Sequence, residues 1–214
     1  MSRDIRAYTE LVRRPLDRSV VLESAYELAR REGIDAPGIR SVASDLGTTP
    51  MALYRYVADV EDLHCAVLDL VLASSPLTPT RYDEIRPWAD TFRAWLAEVP
   101  GLSRLALLRW FELPPLLDCV EALLRCFADE GFEGSELVVA ANATFTYVLA
   151  RGEIEEAVRE KGVQRSLPTA WPGDRPLLAS LRDEYDVAQL DRHFARGLEL
   201  LLLGLTVARS PEGL

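Results

Sequence analysis

Apolar side chains recur at spacings of three and four residues along almost the whole chain, which is the period of an α-helix with one buried face. Short alternating runs of Val, Ile and Thr between turn residues, which are typical of strands, do not occur in the sequence. The pattern therefore predicts an all-α protein. A first helix is predicted from the N-cap Asp17 to the stop residue Gly33. Further helices are predicted near residues 39–46, 50–57, 60–74, 84–98, 102–112, 115–130, 134–160, 175–184 and 187–208.

Residues 39–57 have the pattern of a helix-turn-helix, in which a short turn joins two short helices. Gly47 lets the chain reverse in that turn because a left-handed backbone costs glycine little. Thr49 can cap the second helix, and Pro50 occupies its first position, where a missing N–H costs nothing. The predicted outward-facing residues of this helix are Thr49, Pro50, Met51, Ala52, Tyr54, Arg55 and Tyr56.

The exposed side chains of this second helix favour DNA binding. Two tyrosines and an arginine suit a DNA groove, where hydroxyl and guanidinium groups bond to phosphates and bases. A helix pair inside a bundle has a similar pattern, so the motif alone leaves that alternative open.

The charge of the chain is unevenly distributed. With 24 basic and 34 acidic side chains, the formal net charge is -10, which argues against a protein that holds nucleic acid by overall charge. Residues 1–57 carry nine arginines against eight acids, whereas residues 58–214 carry 15 basic and 26 acidic side chains. The nearly neutral part is the one with the helix-turn-helix, so the layout permits DNA contact there.

Several other classes find no support in the sequence. We expect no signal peptide and no membrane segment, and the three cysteines lack a Cys-x-x-Cys pair, which favours reduced thiols in a cytoplasmic protein. Phosphate-binding, nucleophile and metal motifs do not occur, so we expect no enzyme, no cofactor and no metal site. Cys119 and Cys126 are seven residues apart. They are interpreted as small buried side chains or, alternatively, as a thiol sensor.

The run from Leu46 to Val57, Leu-Gly-Thr-Thr-Pro-Met-Ala-Leu-Tyr-Arg-Tyr-Val, closely resembles the DNA-recognition segment of tetracycline-repressor (TetR) family regulators. The stronger similarity covers residues 16–72. A weaker one covers Phe194-Ala195-Arg196-Gly197-Leu198 and Leu201-Leu202-Leu203-Gly204-Leu205, which look like the last helix of that family.

The resemblance implies a homodimeric transcriptional repressor that leaves a palindromic operator when a small apolar or amphipathic effector binds. It implies a DNA-binding helix-turn-helix domain at residues 1–60, of three helices, and a connecting helix and linker at 61–80. A larger helical domain at 81–214 binds the effector and dimerises. The alternative is a helical small-molecule binding protein whose DNA domain has lost its function.

The resemblance also assigns roles to residues of the helix-turn-helix. Arg40 matches a position that reaches DNA, and Thr49, Pro50, Met51 and Ala52 match the turn that reads base edges. Tyr54 and Tyr56 match phosphate-contacting positions, with Arg55 between them. Where many members have a lysine at the start of the fourth helix, this chain has Val60. Either a phosphate contact is missing here, or the helix N-terminus alone supplies it, or Arg13, Arg14 and Arg18 compensate as an N-terminal arm.

Candidate ligand residues come from aromatic and polar groups on the later helices. Trp88, Phe92 and Trp95 share one helix face by their spacing, either as ordinary core or as part of the effector site. The full set of candidate ligand residues is Trp88, Phe92, Trp95, Arg104, Trp110, Asn142 and Phe145. Thr144, Thr146 and His193 are further polar candidates, and the acids Glu153, Glu155 and Glu156 are expected to form a solvated face.

The last helix is expected to form the dimer interface together with the helix that begins near residue 134. Its apolar face is read as Phe194, Leu198, Leu201 and Leu205, with Gly197 and Gly204 allowing close approach. The alternative is an ordinary core helix within one subunit.

Overall fold

The computed structural model describes residues 15–73, 78–160 and 175–209. Within these ranges the regular structure is helical, without strands, which confirms the all-α fold. The α-helices are α1 (Arg18–Glu32), α2 (Ile39–Asp45), α3 (Pro50–Leu53), α4 (Val60–Ala73), α5 (Ile85–Leu96), α6 (Leu102–Arg109), α7 (Pro114–Asp129), α8 (Gly134–Glu160), α9 (Pro176–Ser180) and α10 (Leu190–Arg209). Short 3-10 turns cover Tyr82–Glu84, Trp110–Glu112, Arg182–Tyr185 and Val187–Gln189.

The predicted signals at Asp17, Gly33 and Gly47 are confirmed, whereas Thr49 stands at the N-cap position of α3 without the predicted side-chain capping bond. Asp17 Oδ1 accepts the backbone N–H of Val20 at 3.0 Å, as an N-cap does. Gly33 has a φ of 95° and its N–H donates to the carbonyl of Ala29, which ends α1. Gly47 adopts a φ of 61° in the turn between α2 and α3, in the left-handed region that favours glycine.

The third helix is shorter than the sequence suggests. It ends at Leu53, because the N–H of Tyr56 donates to the carbonyl of Leu53 at 2.8 Å, an i→i−3 bond that tightens the chain into a turn. Residues 54–56, predicted as helix, therefore form this turn. Likewise, the helix predicted near 175–184 is divided into α9 and the following 3-10 turn.

The described residues group into two compact units. The first consists of residues 15–73 and 96–118. Within it, the N–H of Ile34 donates to the carbonyl of Pro100 at 2.6 Å, and the side chain of Arg104 donates to Asp35 at 2.5 Å. These bonds fasten the segment that carries α6 to the end of α1.

The second unit consists of residues 78–95, 119–160 and 175–209. Its most extensive helix contact is between α8 and α10. The hydroxyl of Tyr147 on α8 donates to the carbonyl of Phe194 on α10 at 3.0 Å. Large buried side chains of this unit are Trp88, Phe92, Phe127, Phe145, Phe194 and Leu198. None of the helices described in either unit is long and apolar enough to cross a membrane.

Candidate functional site

The recognition segment, residues 46–57, is held by two buried side chains. Leu53 and Val57 are 0% and 2% exposed, in the same core as Val21 and Ala25 of α1. Burying one such side chain contributes about 1.5–3 kcal/mol to stability. The segment therefore has a fixed inner side, and the residues between these anchors project outward.

The outer side of the recognition segment presents most of the predicted DNA-contacting residues. Met51 is 76% exposed and Tyr54 is 52% exposed. Thr49, Pro50 and Arg55 are also exposed, while Ala52 is half-buried. The segment thus displays a mixed surface of apolar, hydroxyl and guanidinium groups.

Both arginines of the helix-turn-helix, residues 39–57, lack an acidic partner within 4.0 Å in the described part of the chain. Arg40 at the start of α2 and Arg55 in the recognition segment are both exposed and make no ion pair there. Arg30 and Arg31 differ, because each lies within 4.0 Å of a glutamate carboxylate. A guanidinium group without a carboxylate neighbour is available to a phosphate group.

The two tyrosines of the segment have different surroundings. The hydroxyl of Tyr56 donates to the carbonyl of Leu16 at 2.6 Å, and the Nε of Arg18 donates to the carbonyl of Tyr56 at 3.3 Å. Tyr56 is half-buried and fastens the end of the recognition segment to the start of α1. Tyr54, which is 52% exposed, is therefore the more available hydroxyl for a phosphate contact. Arg13 and Arg14 lie outside the described residues.

The start of α4 is acidic and already hydrogen-bonded. The N–H of Asp62 donates to Asp59 Oδ1 at 2.8 Å, and the N–H of Ala58 donates to Asp62 Oδ2 at 2.8 Å. Glu61 pairs with Arg109. Val60 itself is 43% exposed and uncharged. Carboxylates already accept the N–H groups of Ala58 and Asp62, so these two groups are not free to bind a phosphate.

In the second unit, three of the predicted ligand residues form one aromatic cluster. The rings of Trp88 and Phe92 stack with centroids 5.1 Å apart, and the ring of Phe145 stacks on Phe92 at 6.4 Å. All three side chains are at most 3% exposed. Trp95, half-buried, lies 6.3 Å from Phe92 between ring centroids.

Two uncharged side chains in the described core of the same unit each carry a polar atom without a hydrogen-bond partner. These atoms are the indole Nε1 of Trp88 and the hydroxyl Oγ1 of Thr144. Thr144 is 0% exposed and precedes Phe145 on α8. A buried polar group without a partner costs about 1–3 kcal/mol, so these atoms are suited to a bound molecule that would satisfy them.

The remaining predicted ligand residues do not join this cluster. Arg104 pairs with Asp35 in the first unit. Trp110 lies on a 3-10 turn of that unit with its ring edge toward Phe111. Asn142 is exposed on α8, because Ala141 and Thr144 take the buried side of the helix.

A buried charge cluster was missed by the sequence reasoning. Glu155 and Glu156 are 2% and 7% exposed, so the expected solvated acidic face is wrong for these two residues. The physical reason is pairing: Arg93 on α5 forms an ion pair with Glu155, and its guanidinium carbon lies 4.3 Å from the ring centroid of Phe194. Arg151 approaches Glu155 within 3.6 Å. The sequence held one sign of this cluster, because Arg93 lies among the aromatic residues between Trp88 and Trp95 and needs an acidic partner if it is buried.

The predicted dimer face of α10 also needs correction. Phe194 and Leu198 are 0% exposed and belong to the core of their own subunit. Gly197 approaches Tyr147 of the same chain so closely that a Cβ atom would overlap the tyrosine hydroxyl. Leu201 and Leu205 are half-buried.

The large apolar side chains that α8 and α10 leave exposed lie elsewhere on these helices. They are Val138, Val139, Leu200, Leu203 and Val207. On α10 the exposed Leu203 and Val207 are four residues apart, as are the buried Phe194 and Leu198, so spacing alone could not distinguish the exposed face from the core face. Asn142 and Thr146, both exposed, continue the stripe of α8 by one and two turns.

A cleft of about 280 Å³ in the first unit has a different character from an apolar ligand site. Its lining consists of Asp59, Glu61, Asp62, Cys65, Arg109, Glu112 and Leu113. Among the residues that the structure describes, no group of three or more His, Cys, Asp or Glu side chains is placed to hold a metal ion.

The two cysteines considered as a thiol sensor are buried. Cys119 is 6% exposed and Cys126 is 0% exposed. The Sγ of Cys126 donates to the carbonyl of Pro79 at 3.6 Å. Burial raises the pKa of the Cys126 thiol, which lowers the fraction of reactive thiolate.

Comparison with known proteins agrees with this architecture. A family profile described as "Tetracyclin repressor-like, C-terminal domain" matches residues 76–209. The "HTH-type transcriptional repressor DrrR1" of Streptomyces coeruleorubidus is 30% identical over 213 residues, covering 90% of this chain and 77% of that protein. The "Tetracycline repressor protein class A from transposon 1721" of Escherichia coli is 26% identical, covering 92% of this chain and 96% of that protein.

Solved structures share the fold. ActR of Streptomyces coelicolor in complex with actinorhodin superposes with a TM-score of 0.76 at 22% identity, covering 92% of this chain and 100% of that chain. BioQ with its double-stranded DNA operator superposes with a TM-score of 0.68 at 21% identity, covering 90% of this chain and 99% of that chain. Both likenesses extend over the whole length of the solved chains.

Proposed function

The chain belongs to the tetracycline-repressor (TetR) family of transcriptional regulators, and we propose that it is a homodimeric repressor that releases a palindromic operator when a small apolar or amphipathic effector binds. The recognition segment contacts DNA, and the second unit holds the effector and the dimer interface. Because the target is chromosomal DNA, the proposal places the protein in the cytoplasm. It assigns the protein no catalytic role.

The observation that carries the proposal is the exposed side of the helix-turn-helix with two arginines, Arg40 on α2 and Arg55 in the recognition segment, that make no ion pair among the described residues. Arg40 and Arg55 are positioned for phosphate groups, and Tyr54 adds an exposed hydroxyl. Thr49 has no capping bond to its own helix, so its hydroxyl is available to a base edge. The net charge of -10 gives little general attraction to DNA, so affinity must come from these placed contacts and from the dimer.

Binding to the DNA upstream of the protein's own gene tests the DNA-binding part. We expect the wild type to shift this fragment in a gel and to protect a palindrome whose half-site centres lie about one helical turn, or a multiple of it, apart. The double variant Tyr54→Ala with Arg55→Ala should bind at least about tenfold more weakly. Arg125→Ala is the matched control, because Arg125 is an exposed arginine of the second unit. A wild type that prefers no palindrome in any fragment would contradict the proposal.

The aromatic cluster of the second unit supports the effector part. Trp88, Phe92 and Phe145 offer stacked apolar surface, while the unpartnered Trp88 Nε1 can donate and the Thr144 hydroxyl can donate or accept a hydrogen bond. An apolar enclosure with a few polar groups is the usual composition of a small-molecule site. ActR has been solved in complex with actinorhodin and with (S)-DNPA, so this fold holds small molecules in a structural relative.

A ligand screen tests whether the aromatic cluster binds an effector or is only part of the hydrophobic core. Compounds that raise the melting temperature of the protein should be tested for release of the operator fragment in the same gel. Thr144→Val keeps the shape of the side chain and removes the hydroxyl, so it should weaken a hit about five- to tenfold without weakening DNA binding. Hits that stabilise a protein without operator binding would instead favour the small-molecule binding protein with a non-functional DNA domain.

The dimer part rests on the exposed side chains of α8 and α10. Two neighbouring helices that each present apolar residues to solvent can pair with the same two helices of a second copy as a four-helix interface. Contiguous exposed apolar surface of this kind commonly marks a protein interface. A dimer also matches the two-fold symmetry of a palindromic operator.

A further inference from the structure

Met51 is the most exposed of the large apolar side chains described in the first unit. It is 76% exposed, compared with 61% for Leu108 and 58% for Phe111. It lies in α3 directly after Pro50, which occupies the first helical position. A single exposed apolar side chain needs no explanation elsewhere on a surface, but here it stands at the centre of the surface that faces DNA.

The side chains around Met51 are unusual for a base-reading helix because they contain neither charge nor amide. Residues 48–54 read Thr-Thr-Pro-Met-Ala-Leu-Tyr. Guanine is chiefly recognised by Arg or Lys, and adenine by Asn or Gln, through paired hydrogen bonds. None of these four types occurs in residues 48–54, and threonine hydroxyls accept or donate with little choice between bases.

Thymine is the base that carries a methyl group in the major groove, and an apolar side chain recognises it by contact with that methyl group. We propose that Met51 is a specificity-determining residue that reads the methyl group of one thymine in each half-site of the operator. Exposed Pro50, which has no N–H to bond to a base, and half-buried Ala52 flank Met51 and extend the apolar contact. This inference rests on the proposed function, since it requires a protein that binds DNA with sequence preference.

Replacement of thymine by deoxyuridine isolates this contact, because the A·U pair keeps every hydrogen-bonding group and loses only the methyl group. The operator is first selected from a random pool of duplexes. Each thymine is then replaced in turn, in one half-site and in both, and affinity is measured by fluorescence anisotropy at constant salt. We expect one position where replacement weakens wild-type binding about fourfold per half-site, or roughly 16-fold for both.

The Met51→Ala variant should lose this discrimination and bind the thymine and deoxyuridine operators with equal affinity. Leu108→Ala is the matched control, because it also truncates an exposed apolar side chain of the first unit, and it should keep the wild-type discrimination. Neither side chain supports the core, so circular dichroism should find both variants folded.

The outcomes distinguish this inference from the function on which it rests. A wild type that selects an operator but is indifferent to deoxyuridine at every position overturns the role of Met51. Unchanged discrimination in Met51→Ala overturns it as well. If the wild type selects no sequence at all, the proposed function fails, and the inference fails with it.

Discussion

At the residue scale, the structure separates two tyrosines that the sequence presents as equals. Tyr54 and Tyr56 both match phosphate-contacting positions of the family, and both were predicted to face outward. Tyr54 is 52% exposed, whereas the hydroxyl of Tyr56 donates to the carbonyl of Leu16 at 2.6 Å. Spacing alone could not distinguish them, because the chain leaves its helical path after Leu53.

Removing each hydroxyl tests this difference. Tyr56→Phe should lower the free energy of unfolding by about 1 kcal/mol, because a half-buried hydrogen bond is lost. Tyr54→Phe should leave the free energy of unfolding unchanged and weaken operator binding about three- to tenfold. Urea denaturation and anisotropy titrations measure the two quantities. A stability loss in Tyr54→Phe that equals that of Tyr56→Phe would contradict the assignment.

The burial of Cys126 leads to a second prediction at the residue scale. Because burial raises the pKa of Cys126, the thiolate fraction at pH 7 is small and should grow only as the pH rises toward and above 9. The folded protein, carrying Cys65→Ser, should therefore react slowly with Ellman's reagent at pH 7, and the urea-unfolded protein should react at once. Rapid labelling of Cys126 in the folded protein at pH 7 would revive the thiol-sensor alternative.

At the element scale, the sequence predicts the helices well and their faces less well. Caps and breakers such as Asp17, Gly33 and Gly47 act locally, so the sequence alone located the first helices. The side of a helix that is buried depends on its neighbours, and α10 is apolar on two sides. Phe194 and Leu198 turned out to face the core of their own subunit, while Leu200, Leu203 and Val207 remain exposed. For the same reason, the sequence alone could not show that Glu155 is buried, because its burial depends on Arg93, which lies on another helix.

The ion pair between Arg93 and Glu155 makes a prediction for α5 and α8. Arg93→Met should lower the free energy of unfolding by about 3–5 kcal/mol, because it leaves the carboxylate of Glu155 buried with a weaker partner. Adding Glu155→Leu should recover part of that loss, since a buried apolar pair has no desolvation penalty. A double-mutant cycle by urea denaturation measures the coupling. Strictly additive losses would mean that the pair contributes nothing as a pair.

At the scale of the whole molecule, the layout of charge and apolar surface explains how an acidic protein can bind DNA. Arg40 and Arg55, which make no ion pair among the described residues, lie in the first unit, and the chain beyond residue 57 carries most of the excess acid. Non-specific attraction to DNA is therefore weak, and in the proposed homodimer binding depends on two recognition segments acting together.

Disrupting the proposed interface should separate folding from DNA binding. Val139→Glu with Leu203→Glu places charges on the exposed apolar face of α8 and α10, so the protein should run as a folded monomer in analytical ultracentrifugation. Its operator affinity should fall at least about 100-fold, because the second half-site no longer benefits from the first. Leu108→Glu, a charge at an exposed apolar position of the first unit, should remain dimeric. A dimeric double variant would place the interface elsewhere.

The central claim, that Arg40 and Arg55 contact phosphate groups of an operator, is tested most directly by the salt dependence of binding. The logarithm of the binding constant of the wild type should fall linearly with the logarithm of salt concentration. The Arg40→Ala and Arg55→Ala double variant removes four guanidinium groups per dimer, and its slope should be shallower by about 3.6. An Arg125→Ala control should keep the wild-type slope. Equal slopes in the wild type and the double variant would contradict the account.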